Sequence, residues 1–315
     1  MEHQRISPDL REQDGALDGV EALPKRVDRY GKAKTRALNI ANHINAIDGL
    51  QTEYKRLSRC ADYLLFRHYF TVDKVRLHAA QFCKVHLLCP MCAIRRGAKA
   101  LAAYLQRFEA IKLQRPQLRA WMVTLTVKDG DDLKERFKHL HKSQRELWMR
   151  KHRGRGSVLD GVAGAVWSYE VKRGNGSGLW HPHLHMVALA EHEPDKFALS
   201  AEWHNITGDS KIVDVRPISQ EDPATGFSEV FKYAVKFSDQ SEADTVHAYQ
   251  TLKRRRLLDC SGCFRGVEIP ESLLDEPLDG LPYVELLYRF MGKGYNLSKH
   301  AEGACREGAA CSRKV

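Results

Sequence analysis

Trp180-His181-Pro182-His183-Leu184-His185-Met186-Val187-Ala188-Leu189 sets three histidines at alternate positions inside an apolar run. In a β-strand, side chains at i, i+2 and i+4 share a face. Three imidazoles then form a row, with successive Cα atoms about 7 Å apart at ~3.3 Å rise per residue. Imidazole is the commonest metal-ligating side chain, and three rings side by side are costly to bury without a metal or anion between them. The preceding residues, VAGAVWSYEVK (162–172) and RGNGSG (173–178), read as a strand and a turn, so 179–189 is the returning strand of a hairpin. Glu170 on the first strand can face the histidine row. Two imidazoles and one carboxylate leave coordination positions open for water or substrate, as suits Mg²⁺ or Mn²⁺ bridging to a phosphate. The third ligand is either His181 or Glu170. Pro182 lacks an amide donor, so this stretch borders an edge or a bulge, which can displace His181 from the row.

Outward from the hairpin the pattern alternates. AWMVTLTVK (120–128) is a strand, and DDLKERFKHLHKSQRELWMRK (131–151) is a helix burying Leu133, Phe137, Leu140, Leu147 and Trp148. A helix at 195–206, a strand at 211–218 and a helix at 229–239 follow, with helix continuing over 240–258 and a late strand at 282–290. The order β-α-β-β-α-β-α predicts an α+β fold of split βαβ type, an antiparallel sheet with helices on one face. Residues 1–50 read as a charged leader (flexible to about residue 30) followed by a helix over 32–47, which either packs on the body or tracks a phosphate backbone. Residues 51–115 form a cysteine-rich helical segment, 116–260 the catalytic domain and 261–315 a C-terminal extension.

On the helix after the sheet, Glu229 and Tyr233 are spaced i,i+4, as are Lys232 and Lys236. A tyrosine oxygen can attack a phosphodiester, provided cations stabilise the charge that develops, and a carboxylate can later activate water. The eight cysteines include Cys60, Cys83, Cys89 and Cys92. Cys89-Pro-Met-Cys92 is a knuckle-like pair that can supply two corners of a Zn²⁺ tetrahedron, with His78 and His86 as competing ligands and buried free thiols as the alternative. Cys260, Cys263, Cys305 and Cys311 could form a second site.

The chain has 315 residues and a net charge of +10, from 50 Lys and Arg against 40 Asp and Glu. Such a balance favours a polyanionic partner. Arg150-Lys151-His152-Arg153-Gly154-Arg155 and Lys253-Arg254-Arg255-Arg256 can each follow DNA phosphates or simply be solvated. No apolar run reaches transmembrane length and the first residues lack the apolar core of a signal peptide, so a cytoplasmic location and no membrane partner are expected.

Taken together these motifs resemble the single-tyrosine HUH replication initiators of rolling-circle plasmids. The residues that carry the resemblance are Thr124-Leu125-Thr126, the His181–His185 run, Glu229-x3-Tyr233 with Lys232 and Lys236, and Cys83, Cys89, Pro90, Cys92, Arg95 and Arg96, in that family's order of strand, histidine hairpin and tyrosine helix. The similarity spans roughly residues 50–270 and implies an HUH endonuclease-type fold. It implies that His183 and His185 hold the divalent metal, with His181 or Glu170 as third ligand. Tyr233 would form a 5′-phosphotyrosine at the origin and free a 3′-hydroxyl primer, Glu229 would activate water for the terminating cleavage, and Lys236 would hold the scissile phosphate. Implied partners are plasmid origin DNA, single-stranded or cruciform-extruded, and a host helicase and polymerase in a bacterial cytoplasm.

Three rival readings differ in what they leave unused. An HUH transposase or relaxase shares the histidines, but relaxases place the tyrosine before them. A histidine-triad nucleotide hydrolase needs no tyrosine helix, cysteine cluster or basic excess. A non-enzymatic zinc-containing nucleic-acid-binding protein leaves the histidine row without a role.

Overall fold

The computed structural model describes residues 19–154, 156–232, 240–268, 278 and 281–303. Its larger sheet is five-stranded and antiparallel. The spatial order is β6 (Val213–Pro217), β3 (Arg119–Thr126), β5 (Trp180–Ala190), β4 (Val162–Arg173) and β7 (Leu258–Gly262). The histidine strand is therefore central. Hairpin β4–β5 stays in register from Gly164↔Leu189 to Arg173↔Trp180, which sets Glu170 directly opposite His183.

Helices cover both faces of this sheet, where one covered face was expected. On one side α4 (Leu133–His152) packs through Phe137 and Trp148 against Tyr169 and Trp167 of β4. On the other, α3 (Pro90–Gln114) and α6 (Pro223–Phe231) meet through Phe108–Phe227 and Tyr104–Phe231 contacts. The Ser168 hydroxyl, one residue from Trp167 and so on the opposite face, donates to the Val230 carbonyl of α6 at 2.6 Å. Burial on both faces explains why Met186 to Ala190 are continuously apolar instead of alternating. The residues expected to form the buried face of α4, including Leu133, Leu140 and Leu147, are buried. Its Asp132 cap accepts from the amides of Lys134 and Glu135.

A second antiparallel sheet has the order β2 (Lys74–Ala79), β1 (Tyr63–Tyr69), β8 (Tyr283–Phe290) and β9 (Tyr295–Gly303). It joins the cysteine-rich segment to the C-terminal strands, so residues 63–79 are a hairpin within a stretch expected to be helical. Helix α1 (Leu23–Ile44) starts inside the expected leader. Its apolar stripe of Val27, Tyr30, Ala37, Ile40 and Ile44 is buried, and so are Arg26 and Lys34. The Arg26 guanidinium donates to the Val75 carbonyl, and the Lys34 ammonium to the Ser58 carbonyl and the Asp62 carboxylate. Arg26 and Lys34 thus answer protein acceptors as the helix packs on the body.

Between β5 and β6 lies α5 (Lys196–Thr207), and α2 (Gln51–Ser58) precedes β1. The helix expected over 240–258 stops at Leu252, as α7 (Glu242–Leu252). Lys253 turns extended and Arg254 adopts φ 69°, a left-handed conformation that breaks the helix and redirects the chain into β7. The helix expected at 229–239 begins earlier, at Pro223, behind an Asp222 cap, and is described only to Phe231. No helix among the described residues is long and apolar enough to cross a membrane.

Candidate functional site

Cross-strand register assembles the site. Glu170, His183 and Thr126 lie side by side on β4, β5 and β3, with Ser168, His185 and Thr124 in the next row of the same face. Glu170 and His183 are buried, at 1 % and 4 % exposure. The Nε2 atoms of His183 and His185 stand 3.4 and 3.5 Å from the two oxygens of Glu170, and one ligand atom from each of the three residues lies within 4.8 Å of the others. Ligands bound at about 2.1 Å are separated by about 3.0 Å at an octahedral ion and about 3.4 Å at a tetrahedral one, so this spacing suits one small cation.

The outer nitrogens support that reading. His183 Nδ1 faces the His181 carbonyl at 3.4 Å, an oxygen that can only accept, so Nδ1 carries the proton and Nε2 presents a lone pair. His185 Nδ1 meets the Thr124 hydroxyl at 3.1 Å, which allows the same tautomer. Burial pushes the His183 pKa down, against the opposing pull of Glu170, and favours the neutral ring that a metal needs. Lone pairs turned on a buried carboxylate repel one another unless a cation lies between them.

His181 does not join this group. Its Nδ1 bonds Asp129 at 2.6 Å, and Asp129 also accepts from Ser177 at 2.7 Å. A Cβ on Gly174 would fall 2.4 Å from the Asp129 carboxylate, so the hairpin glycine makes room for this clamp. The stretch around Pro182 is a local edge and not a bulge. Trp180 exchanges both backbone hydrogen bonds with Gly130, so by alternation Pro182 turns its nitrogen to the same side, where the β3 register has ended at Thr126↔His183. Asp129 was not singled out in the sequence; an aspartate just past a strand carries no distinguishing pattern.

Helix α6 lies over the same face; Glu229 sits in its last turn and Lys232 caps it, and their carboxylate and ammonium pair at 2.9 Å. Tyr233 and Lys236 lie outside the described residues; Tyr233 follows Lys232 directly in sequence.

A separate centre gathers Cys60, Cys83, Cys89 and Cys92, all buried. Their Sγ–Sγ distances of 3.5 to 3.8 Å are too long for disulfides. They match the about 3.8 Å expected between corners of a tetrahedron with Zn–S bonds of about 2.3 Å. Cys89 is the residue before α3 and Cys92 lies in its first turn, where the helix dipole favours thiolates. The amides of Cys83, Lys84 and Val85 point at Cys60, Cys92 and Cys83 sulfurs. Hydrogen bonds from Cys60, Cys83 and Cys89 hold the Cys92 thiol well below the usual range, while burial pushes Cys89 up. A Zn²⁺ held among the four sulfurs would let all of them act as thiolate ligands. Of the competing ligands, neither His86 nor His78 belongs to the cluster, and Cys260 and Cys263 join no such group among the described residues. Cys305 and Cys311 lie outside the described residues.

A model of the replication protein family matches residues 74–284. A protein rep of Bacillus amyloliquefaciens is 30% identical over 215 residues, covering 64% of this chain and 60% of the relative. A protein rep of a Bacillus species is 30% identical over 169 residues, 52% of each chain. One from Streptococcus pneumoniae is 26% identical over 252 residues, 74% of this chain and 77% of its own. The chain thus spans between half and three fifths of the first two relatives' lengths. No solved structure matches the chain.

Proposed function

The chain belongs to the replication protein family, in keeping with the resemblance its histidine, tyrosine and cysteine motifs carry, and on that premise we propose that it is a plasmid rolling-circle initiator that nicks and rejoins origin DNA through a 5′-phosphotyrosine. The observation that carries the reading is the convergence of Glu170, His183 and His185 on the sheet face that α6 covers. In this reading Glu170, not His181, is the third ligand, since Asp129 holds His181 aside.

A Mg²⁺ or Mn²⁺ bound by these residues supplies Lewis-acid polarisation of the scissile phosphodiester. The two imidazoles and the carboxylate fix where that phosphate sits, and Thr124 keeps His185 turned toward it. Tyr233, next in the chain after the α6 cap, gives up its phenolic proton to solvent and attacks phosphorus with its phenolic oxygen. The P–O3′ bond breaks, the 3′ oxygen takes up a proton, and the freed hydroxyl primes a host polymerase behind a host helicase. The ester energy is retained in the phosphotyrosine, so no nucleotide is consumed. Glu229, paired with Lys232, accepts a proton from water at termination. Lys236 completes the cationic hold on the phosphate. The four-cysteine centre holds structural Zn²⁺ between α3 and the second sheet.

The test is nicking of supercoiled plasmid carrying the replicon's own origin. Conversion to open circle is expected with Mn²⁺ and not with EDTA, and His183→Ala should lower it by at least a hundredfold. Nicking that persists in EDTA or in the variant would remove the metal centre from the mechanism.

A further inference from the structure

Along β4 the face that carries Glu170 runs Ser168, Glu170, Lys172. Ser168 is fixed beneath α6 by its bond to Val230, Glu170 is buried, and Lys172 is exposed. The face therefore opens to solvent in the direction of Lys172. Register pairs Lys172 with His181 as it pairs Glu170 with His183. The Lys172–His181 row thus lies one step outward from the candidate ligands, about 7 Å at ~3.4 Å rise per residue. Burial lowers the His183 pKa, with smaller contributions from the charges of His185 and Lys172, so the ammonium stands within electrostatic reach of the ligand row.

The backbone that carries Lys172 is held on both sides. The Gln240 side-chain amide donates to the Val171 carbonyl at 3.1 Å, and Arg173 pairs with Asp244 at 2.8 Å. Neighbouring cations are engaged, Arg173 with Asp244 and Lys232 with Glu229, whereas no described carboxylate pairs with Lys172. The β3 register ends at Thr126↔His183 and the β7 register at Ser168↔Leu258, so no further strand flanks the Lys172–His181 row. An exposed ammonium on a rigid strand, one row from a bound phosphate, is a point-charge partner for a second phosphate. We propose that Lys172 binds the phosphate next to the scissile one, where the DNA strand leaves the metal centre, and so fixes the strand's register across the site. The inference rests on the reading of the chain as a metal-dependent nickase and assigns Lys172 a contact with DNA, not a part in proton transfer.

The experiment compares the parent and K172Q on a fluorescein-labelled single-stranded oligonucleotide from the replicon's own origin. By anisotropy without divalent cations, K172Q should bind about threefold more weakly, with the slope of log affinity against log salt smaller by roughly 0.7, the share of one phosphate. K172R, which keeps the charge, should bind like the parent. With Mn²⁺, K172Q should raise the KM for nicking about threefold and leave kcat unchanged, as expected for a contact made equally in the ground and transition states. Its Mn²⁺ affinity should stay that of the parent. A set of oligonucleotides, each with one phosphate near the nick neutralised as a methylphosphonate, identifies the partner. One flanking position should cost the parent what K172Q costs, and cost K172Q nothing further. Parent-like affinity in K172Q, a fall in kcat at unchanged KM, or additive losses at every neutralised phosphate would each overturn the proposal. A parent that fails to nick, yet whose DNA binding weakens as described in K172Q, would instead count against the catalytic reading alone.

Discussion

Each imidazole that turns Nε2 to Glu170 is oriented through its other nitrogen, and that is where single substitutions are most informative. Thr124→Val keeps the shape of the side chain and removes the 3.1 Å partner of His185. Loss of such an orienting partner lowers metal affinity by roughly 10- to 100-fold, so Mn²⁺ titration should show that drop without a change in fold. Glu170→Gln should abolish tight Mn²⁺ binding while His181→Ala retains it; the opposite order would make His181 the third ligand. The histidine pair and Glu170 were legible in the sequence because alternation along a strand is a strong constraint. The choice between Glu170 and His181 was not, because it depends on Asp129, whose role exists only once β3 and the hairpin turn are folded together. Tyr233 and Lys236, legible as helix neighbours of Glu229, lie outside the described residues.

Among the elements, the start of α3 carries a direct test. Cys89 and Cys92 bracket its first turn. Cys89→Ser should cut bound zinc from one ion per chain to well below one by elemental analysis and lower the thermal midpoint by several degrees; a full zinc complement in the variant would exclude Cys89 as a ligand. Nearby, burial and Arg96 push His86 down to about 4 from 6.5, and burial lowers His183 as well. The folded chain favours the neutral form of both rings, while the unfolded chain takes up protons below 6.5. The His86 contribution to stability is thus complete above pH 6.5 and is lost as pH falls toward about 4. The urea midpoint should decline across that window, less steeply in His86→Gln than in the parent; equal slopes would show that His86 does not contribute. The strands and helices of the hairpin region follow from strong periodicity. Strand β7, LDCSG, could not be read that way, because its Asp, Ser and Gly have weak strand preference and only pairing with β4 makes it a strand. The continuous apolar runs of β4 and β5 did signal helices on both faces, a signal masked by the hairpin's otherwise antiparallel character.

For the whole molecule, the second sheet ties distant parts of the chain together. Strand β1 lies between β2 and β8, and Arg67 pairs with Glu285 at 3.0 Å. The Tyr295 hydroxyl donates to the Ala61 carbonyl beside Cys60. Truncation after residue 280 would expose the β1 edge and this flank of the cysteine centre, so the shortened chain should lose zinc and aggregate. A monomeric, zinc-loaded truncation would show that the C-terminal strands are dispensable. Sequence order alone places residues 63–79 and 283–303 in separate segments, and nothing local in either indicates the other as partner; that is the limit of reading from periodicity. The antiparallel sheet and its split βαβ order, by contrast, come from local patterns repeated along the middle of the chain.

The central claim is covalent catalysis by Tyr233 at the metal centre. The most direct measurement is a denaturing gel of the protein incubated with Mn²⁺ and labelled single-stranded oligonucleotides from its own origin. A labelled protein band is expected, absent with EDTA and absent in Tyr233→Phe, which should still bind the DNA. An adduct that survives Tyr233→Phe, or DNA binding with no adduct on any origin oligonucleotide, would contradict it.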